Sequence, residues 1–225
     1  MKLKRRFFQS LKNNRNGSEI SLYLNEQTHW DLVLENSGII SENYITSEAT
    51  AEGVLRKNGT SALPMQGHVK GQPNSRVSLT FNEDFIYGFI KLGSTTYFIE
   101  PLSHFSDNGL KNKFVMYSVN DIIKSDDKKC GYDQYKDKLE SNRQHLPNNG
   151  TRVTGLCFRI EIALASDYSM VQTYGVTGTT NHNIGVLNNV QTNYDDEFDD
   201  ELQFVITEQW ISTCASCDPW TSVND

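Results

Sequence analysis

In several runs between Ser18 and about residue 100 the apolar side chains recur at every second position. A helix repeats every ~3.6 residues, so this pattern makes no helical stripe; it makes strands with one apolar face. In SEISLYLN the apolar positions are Ile20, Leu22 and Leu24, and in RVSLTF they are Val77, Leu79 and Phe81. In FIYGFIKL, Phe85, Tyr87 and Phe89 face one way, and Ile86 and Ile90 the other. Turn-forming clusters separate the runs: Gly71 to Asn74, Asn82 to Asp84, and Gly93-Ser94, which leads into TTYFIEPL. The spacing predicts an antiparallel meander with one sheet face buried.

Residues 103–153 break this pattern. HFSDNGLKNKF and the span from Ser125 to Asn149 are polar, and residues 147–150, PNNG, mark a loop. We expect 124–153 to be a linker with little core of its own. Order returns at Leu156. LCFRIEIALAS is a near-continuous apolar run with Arg159 and Glu161 embedded, as expected of a strand covered on both faces. Asp167 stands where a helix N-cap would, before YSMVQTYG. Thr180 or Asn181 is placed to cap or restart a helix in NHNIGVLNNVQTNYDDEF, where Ile184, Leu187, Val190 and Tyr194 form one stripe. In ELQFVITEQWIS, Leu202, Phe204 and Ile206 alternate against Gln203 and Thr207, which predicts another strand. Strand, helix, strand with a right-handed crossover lays the two strands parallel.

The expected class is therefore α+β. A basic tail (1–17) precedes a β-rich antiparallel region (18–123), a linker (124–153) and one strand–helix–strand unit (154–225). The net charge of −7 argues against a general nucleic-acid binder, which needs clustered Lys and Arg. No stretch approaches the ~18 apolar residues of a membrane span. MKLKRRFFQSLKNN has the basic start of a signal peptide, yet lacks the apolar core of about 7–15 residues that should follow, so no export signal is visible. The acidic run DDEFDDE at 195–201 is expected to be a solvated helix end, although its charge opposes the helix dipole there. His182 is expected to be an exposed surface histidine, and Trp210 and Trp220 to pack in the core or at an edge.

The four cysteines, Cys130, Cys157, Cys214 and Cys217, are too few for a dense disulfide framework. Cys214 and Cys217 form a C-x-x-C that fits a disulfide closing a small loop; two free thiols or a metal pair are the alternatives. Cys130 sits in KKCGYDQ, a polar, turn-prone stretch with no second cysteine nearby. By itself that is an unpaired surface thiol.

Residues 66–102, QGHVKGQPNSRVSLTFNEDFIYGFIKLGSTTYFIEPL, add a further pattern. Gly67, Val69, Gly71, Ser75, Val77 and Leu79 fall in a G-x-V-x-G-x-x-x-S-x-V-x-L core. Gly88 lies on the next strand, and 97–102 end it as Y-x-I-E-P-L. This segment resembles the propeptide of the reprolysin/ADAM metallopeptidases, which belong to the metzincins. KKCGYDQ is similar to that family's switch segment. FRIEIALASDYSMVQTYG, NIGVLNNVQTNYDDEF and LQFVITEQWIS resemble the opening strand, helix and second strand of its catalytic domain. The resemblance covers roughly residues 18–220.

What the resemblance implies is a secreted, latent zinc endopeptidase that cleaves protein or peptide substrates and whose propeptide contacts its own catalytic domain. A catalytic zinc keeps one coordination position for the attacking water. A thiolate is a strong zinc ligand and can occupy that position. Cys130 is then the inhibitory ligand, and Gly131, which has no Cβ, lets the backbone come close. Glu161 aligns with a family acid that helps hold structural calcium, and carboxylates suit calcium; pairing with Arg159 or solvent is the plain alternative. The family's zinc site is an H-E-x-x-H-x-x-G-x-x-H run. None of His29, His68, His104, His145 and His182 stands in such a run, so the zinc ligands are expected beyond Asp225 and this portion alone to be inactive. Activation would require a cut between Cys130 and Leu156, where Arg143 and Arg152 are the arginines. Sequons begin at Asn16, Asn58 and Asn149 and matter in a glycosylating compartment. The alternatives are a propeptide-like inhibitor or inactive remnant that binds a protease, and an unrelated β-rich protein.

Overall fold

The computed structural model describes residues 11, 18–23, 29–106, 112–123, 158–198 and 201–220. The chain opens with β1 (Ser18–Tyr23) and β2 (His29–Asn36), then runs through β3 (Ile40–Thr50) and β4 (Gly53–Asn58). It continues with β5 (Leu63–Val69), β6 (Gln72–Asn82), β7 (Phe85–Leu92), β8 (Thr95–Pro101) and β9 (Phe114–Ser118). Then come β10 (Phe158–Ser166), the helix α1 (Tyr168–Phe198) and β11 (Leu202–Ser212).

Seven strands form one sheet in the order β1-β2-β5-β6-β7-β8-β9. Every neighbouring pair is antiparallel. The alternation read from the sequence sets its core: Ile20, Leu22, Leu32, Leu34, Val77, Leu79, Phe81, Ile86 and Ile90 are buried together. The expectation of a single buried face is corrected. Ser78 and Thr80, which alternate with those apolar residues on β6, are 0% exposed. They lie under α1, which packs on β5, β6 and β7. A polar residue alternating with apolar ones usually faces water; here it faces a helix.

The meander is also interrupted. β3 and β4 leave it for a second sheet, ordered β10-β11-β3-β4. β10 and β11 are parallel, as the helical crossover between them requires. β3 joins β11 in parallel, and β4 returns antiparallel to β3. Strands from 18–123 and from 154–225 thus share one sheet. Its core gathers Ile39, Tyr44, Ala62, Ile184, Leu187 and Ile206, with Ile162, Leu164, Val190 and Phe204 packed around them.

β10 departs from the sequence reading. Its first half is covered on neither face: Phe158 and Ile160 are 54% and 39% exposed on one, and Arg159 and Glu161 are exposed on the other; among the described residues it is an edge strand, paired with β11. The helix starts where expected. Asp167 accepts the Met170 N–H at 3.0 Å, and Asp218 accepts the Tyr168 N–H at 2.7 Å. It does not restart at Thr180 or Asn181. Its break lies earlier, at Gly175, whose φ of 70° and ψ of 166° are open to glycine and costly for other residues. Thr180 instead donates to the Val176 carbonyl within a continuous helix.

The described residues are thus mixed α+β: a seven-stranded antiparallel sheet, a smaller mixed sheet, and a long helix packed on both. Among the described residues no helix is long and apolar enough to cross a membrane.

Candidate functional site

The helix packs tightly on the seven-stranded sheet at Gly185. A Cβ there would lie 2.6 Å from Tyr87 Cδ1, so only glycine lets α1 sit this near to β7. One turn earlier, His182 packs edge-on against Tyr87, with ring centroids 4.8 Å apart. Tyr174, the last residue before the Gly175 break, stacks on His182 at 4.7 Å with 17° between planes. The sheet supplies the other half. Pro101 ends β8, and the 3-10 turn Leu102–His104 swings His104 towards the helix. Its ring lies 4.6 Å from Tyr174 and 5.6 Å from His182. Two imidazoles and two phenols therefore meet where helix and sheet meet.

One carboxylate anchors this cluster. His104 Nδ1 lies 3.5 Å from Glu100 Oε2, and the Tyr117 hydroxyl donates to Glu100 Oε1. Burial alone would raise the Glu100 carboxyl, but hydrogen bonds from His104 and Tyr117 outweigh it and hold the group below the usual carboxylate range. Burial, and then the nearby Glu100 charge, push the Tyr87 phenol up to about 12 and raise Tyr117 as well. His182 is shifted the other way. Burial lowers its proton affinity first and the His104 charge second, while Glu100 opposes both. Its Nδ1 is enclosed and has no hydrogen-bond partner.

A cleft of about 600 Å³ opens beside the cluster, between the β6–β7 turn, the start of β9 and the first half of α1. Asn82, Asp84, His104, Lys113, Tyr174 and Asn181 are among its lining residues. Asn82 spans its floor, donating to Ser61 at 3.0 Å and to Asn181 at 3.2 Å. Polar amides, one cation and a stacked tyrosine suit it to polar, hydrogen-bonding groups.

The residues singled out from sequence fall elsewhere. Cys130 and Gly131, the switch, and Cys157 lie outside the described residues. Glu161 is exposed on β10, opposite Val205 in the ladder. Cys214 and Cys217 are joined as a disulfide just after β11, where the Thr213 N–H donates to the Ala49 carbonyl at 2.9 Å. Trp210 and Trp220 pack edge to face at 5.6 Å. The acidic helix end is not merely solvated: Asp196 pairs with Arg76 at 2.7 Å and sits 3.7 Å from Lys91, which offsets its clash with the helix dipole. His182 is not an exposed histidine but half-buried among rings.

Among the described residues no three His, Cys, Asp or Glu side chains converge as metal ligands. Cys130, the zinc ligand expected within this chain, lies outside them. The His–Tyr cluster was missed for a definable reason. Tyr87 shares a strand face with Phe85 and Phe89, and nothing in the sequence marks that α1 covers it. The signals that could have found it are Glu100 and His104, four apart, and Gly185 inside an apolar helical stripe. No protein-family model matches the chain, and no curated protein matches it.

Proposed function

We propose that the chain is the N-terminal portion of a latent zinc-dependent endopeptidase similar to the reprolysin/ADAM metallopeptidases, with Cys130 as its silencing thiol. The observation that carries this reading is the second sheet. Its strand–helix–strand unit is held on one side by β3, a strand from the N-terminal region. On the other side β10 is the outermost strand among the described residues, and Phe158 and Ile160 on its face are exposed. Long, apolar, open strand edges invite a further strand. An N-terminal region that clamps one edge of a sheet, while the other edge stands ready to be extended, is what a propeptide bound to its own catalytic domain requires. The same arrangement speaks against a free-standing inhibitor, because residues 158–212 are built into the common core. The Cys214–Cys217 disulfide fits an oxidising, extracellular setting.

Bound zinc would supply the activated water for peptide hydrolysis. The part assigned to this chain is to withhold that position: Cys130 takes it while the chain is intact. A cut in 131–155 lowers the thiol's effective concentration and frees the site.

The test is to produce the gene product carried past Asp225, as wild type and as Cys130→Ala, and to measure zinc content and peptide hydrolysis. The expected result is one zinc per chain in both, with activity before any cleavage only in the variant. A zinc-free product, or equal latency in both proteins, overturns the assignment.

A further inference from the structure

We propose that His182 and His104 form a proton-sensitive latch that holds α1 on the seven-stranded sheet at neutral pH and lets it lift when the medium turns acid. The inference stands on the geometry of the cluster and does not rest on the zymogen reading.

Three observations converge on it. First, the two histidines come from opposite sides of the contact, His182 from the helix and His104 from the turn after β8, with centroids 5.6 Å apart. Any positive charge on the one ring disfavours a proton on the other. Second, the rest of this contact is largely polar. Asn181, Asn188 and Thr192 are buried on the helix, and they meet Asn82, the Met65 carbonyl and Gln66 through hydrogen bonds. Water can replace such bonds at little net cost. The stacked rings are thus a main apolar tie between helix and sheet here. Third, the enclosed, unpartnered Nδ1 of His182 has nothing to receive a second N–H. A buried charge without a partner is expensive.

The surrounding charges do not rescue it. Glu100 is the carboxylate that acts on both rings, but His104 and Tyr117 already occupy its oxygens. Tyr87 and Tyr117, whose phenols are raised, stay neutral in acid. Glu83, Asp84 and Lys113 line the cleft with His104, and none of them is among the charges that act on His182. His182 therefore binds a proton less readily folded than free, chiefly because it is buried. The sign follows. The contact is fully held above the ordinary histidine value of about 6.5. It weakens as pH falls below that value and through the lower, folded-state one.

Hydrogen exchange on the full chain, corrected for intrinsic rate and followed from pH 7.5 to 5, tests this. Amides of residues 176–192 are expected to lose protection below the ordinary histidine range, while β6 and β7 keep theirs. The opening equilibrium should change about tenfold for every pH unit separating the free and folded values. His182→Phe keeps a ring of similar shape with no proton to gain, and its exchange should stay flat across the range. His182→Gln serves if the first variant does not fold. Should neither fold, the His182 imidazole titration in the wild type by NMR decides. A midpoint at or above the free-histidine value, an unchanged wild type down to pH 5, or an equal loss in a variant overturns the latch.

Discussion

Helix α1 meets its two sheets through two kinds of surface. Towards the four-stranded sheet it presents Ile184, Leu187 and Val190, which pack with Ile39, Tyr44 and Ile206. Towards the seven-stranded sheet it presents Asn181, Asn188 and Thr192 over Ser78, Thr80 and Asn82. Apolar burial is non-directional and stabilises by about 1.5–3 kcal/mol per large side chain. A buried hydrogen bond nets only about 0.5–1.5 kcal/mol, yet fixes a position. The first contact therefore holds the helix, and the second sets where it sits. A polar contact that is correctly paired is specific and also releasable, which is what a regulated contact needs.

The largest expected effect is on the apolar side. Ile184 is fully buried, and Ile184→Ala should cost about 2–5 kcal/mol in urea unfolding, with an unchanged m-value. A loss below 1 kcal/mol would mean that the apolar contact does not hold the helix. Asn188, one turn further on, is equally buried and donates to the Met65 carbonyl at 3.1 Å. Asn188→Ala should cost about 1–3 kcal/mol, because that carbonyl loses its side-chain partner. Asn188→Leu should cost less, since the asparagine Oδ1 is already without a partner and the leucine fills the space. Reversal of that order would mean that the space shaped for the amide does not accept a leucine. The smallest effect is at the surface. Arg76→Ala removes the pair with Asp196, in which both side chains are a third or more exposed, and should cost at most about 1 kcal/mol and less in high salt.

Much of the strand order was legible in the alternation and its turns, because period two leaves few other structures for Val77, Leu79 and Phe81 to adopt. The parallel β10–β11 pair followed from crossover handedness. Three features were not legible, each because a tertiary neighbour decides it. Ser78 and Thr80 read as a wet face until a helix covers them. ISENYITSEAT, which became β3, carries no mark of its partner, since parallel pairing with β11 is set by residues far along the chain. FRIEIALAS has the apolar content of a covered strand, but coverage belongs to the assembly and not to the segment. At the site, Glu100 and His104 were quoted only as parts of longer patterns, and His182 was misread because its surroundings come from β7 and the turn after β8.

The place of β3 has a consequence in time. Ser47 on β3 donates to Glu208 on β11 across 161 residues of sequence. Contacts between such distant segments form late, since the long loop must close before they stabilise anything. During synthesis β3 and β4 must wait, with their edge unsatisfied, until the ribosome has delivered β11. The N-terminal strands can start their own sheet early, but the second sheet cannot close until β11 arrives.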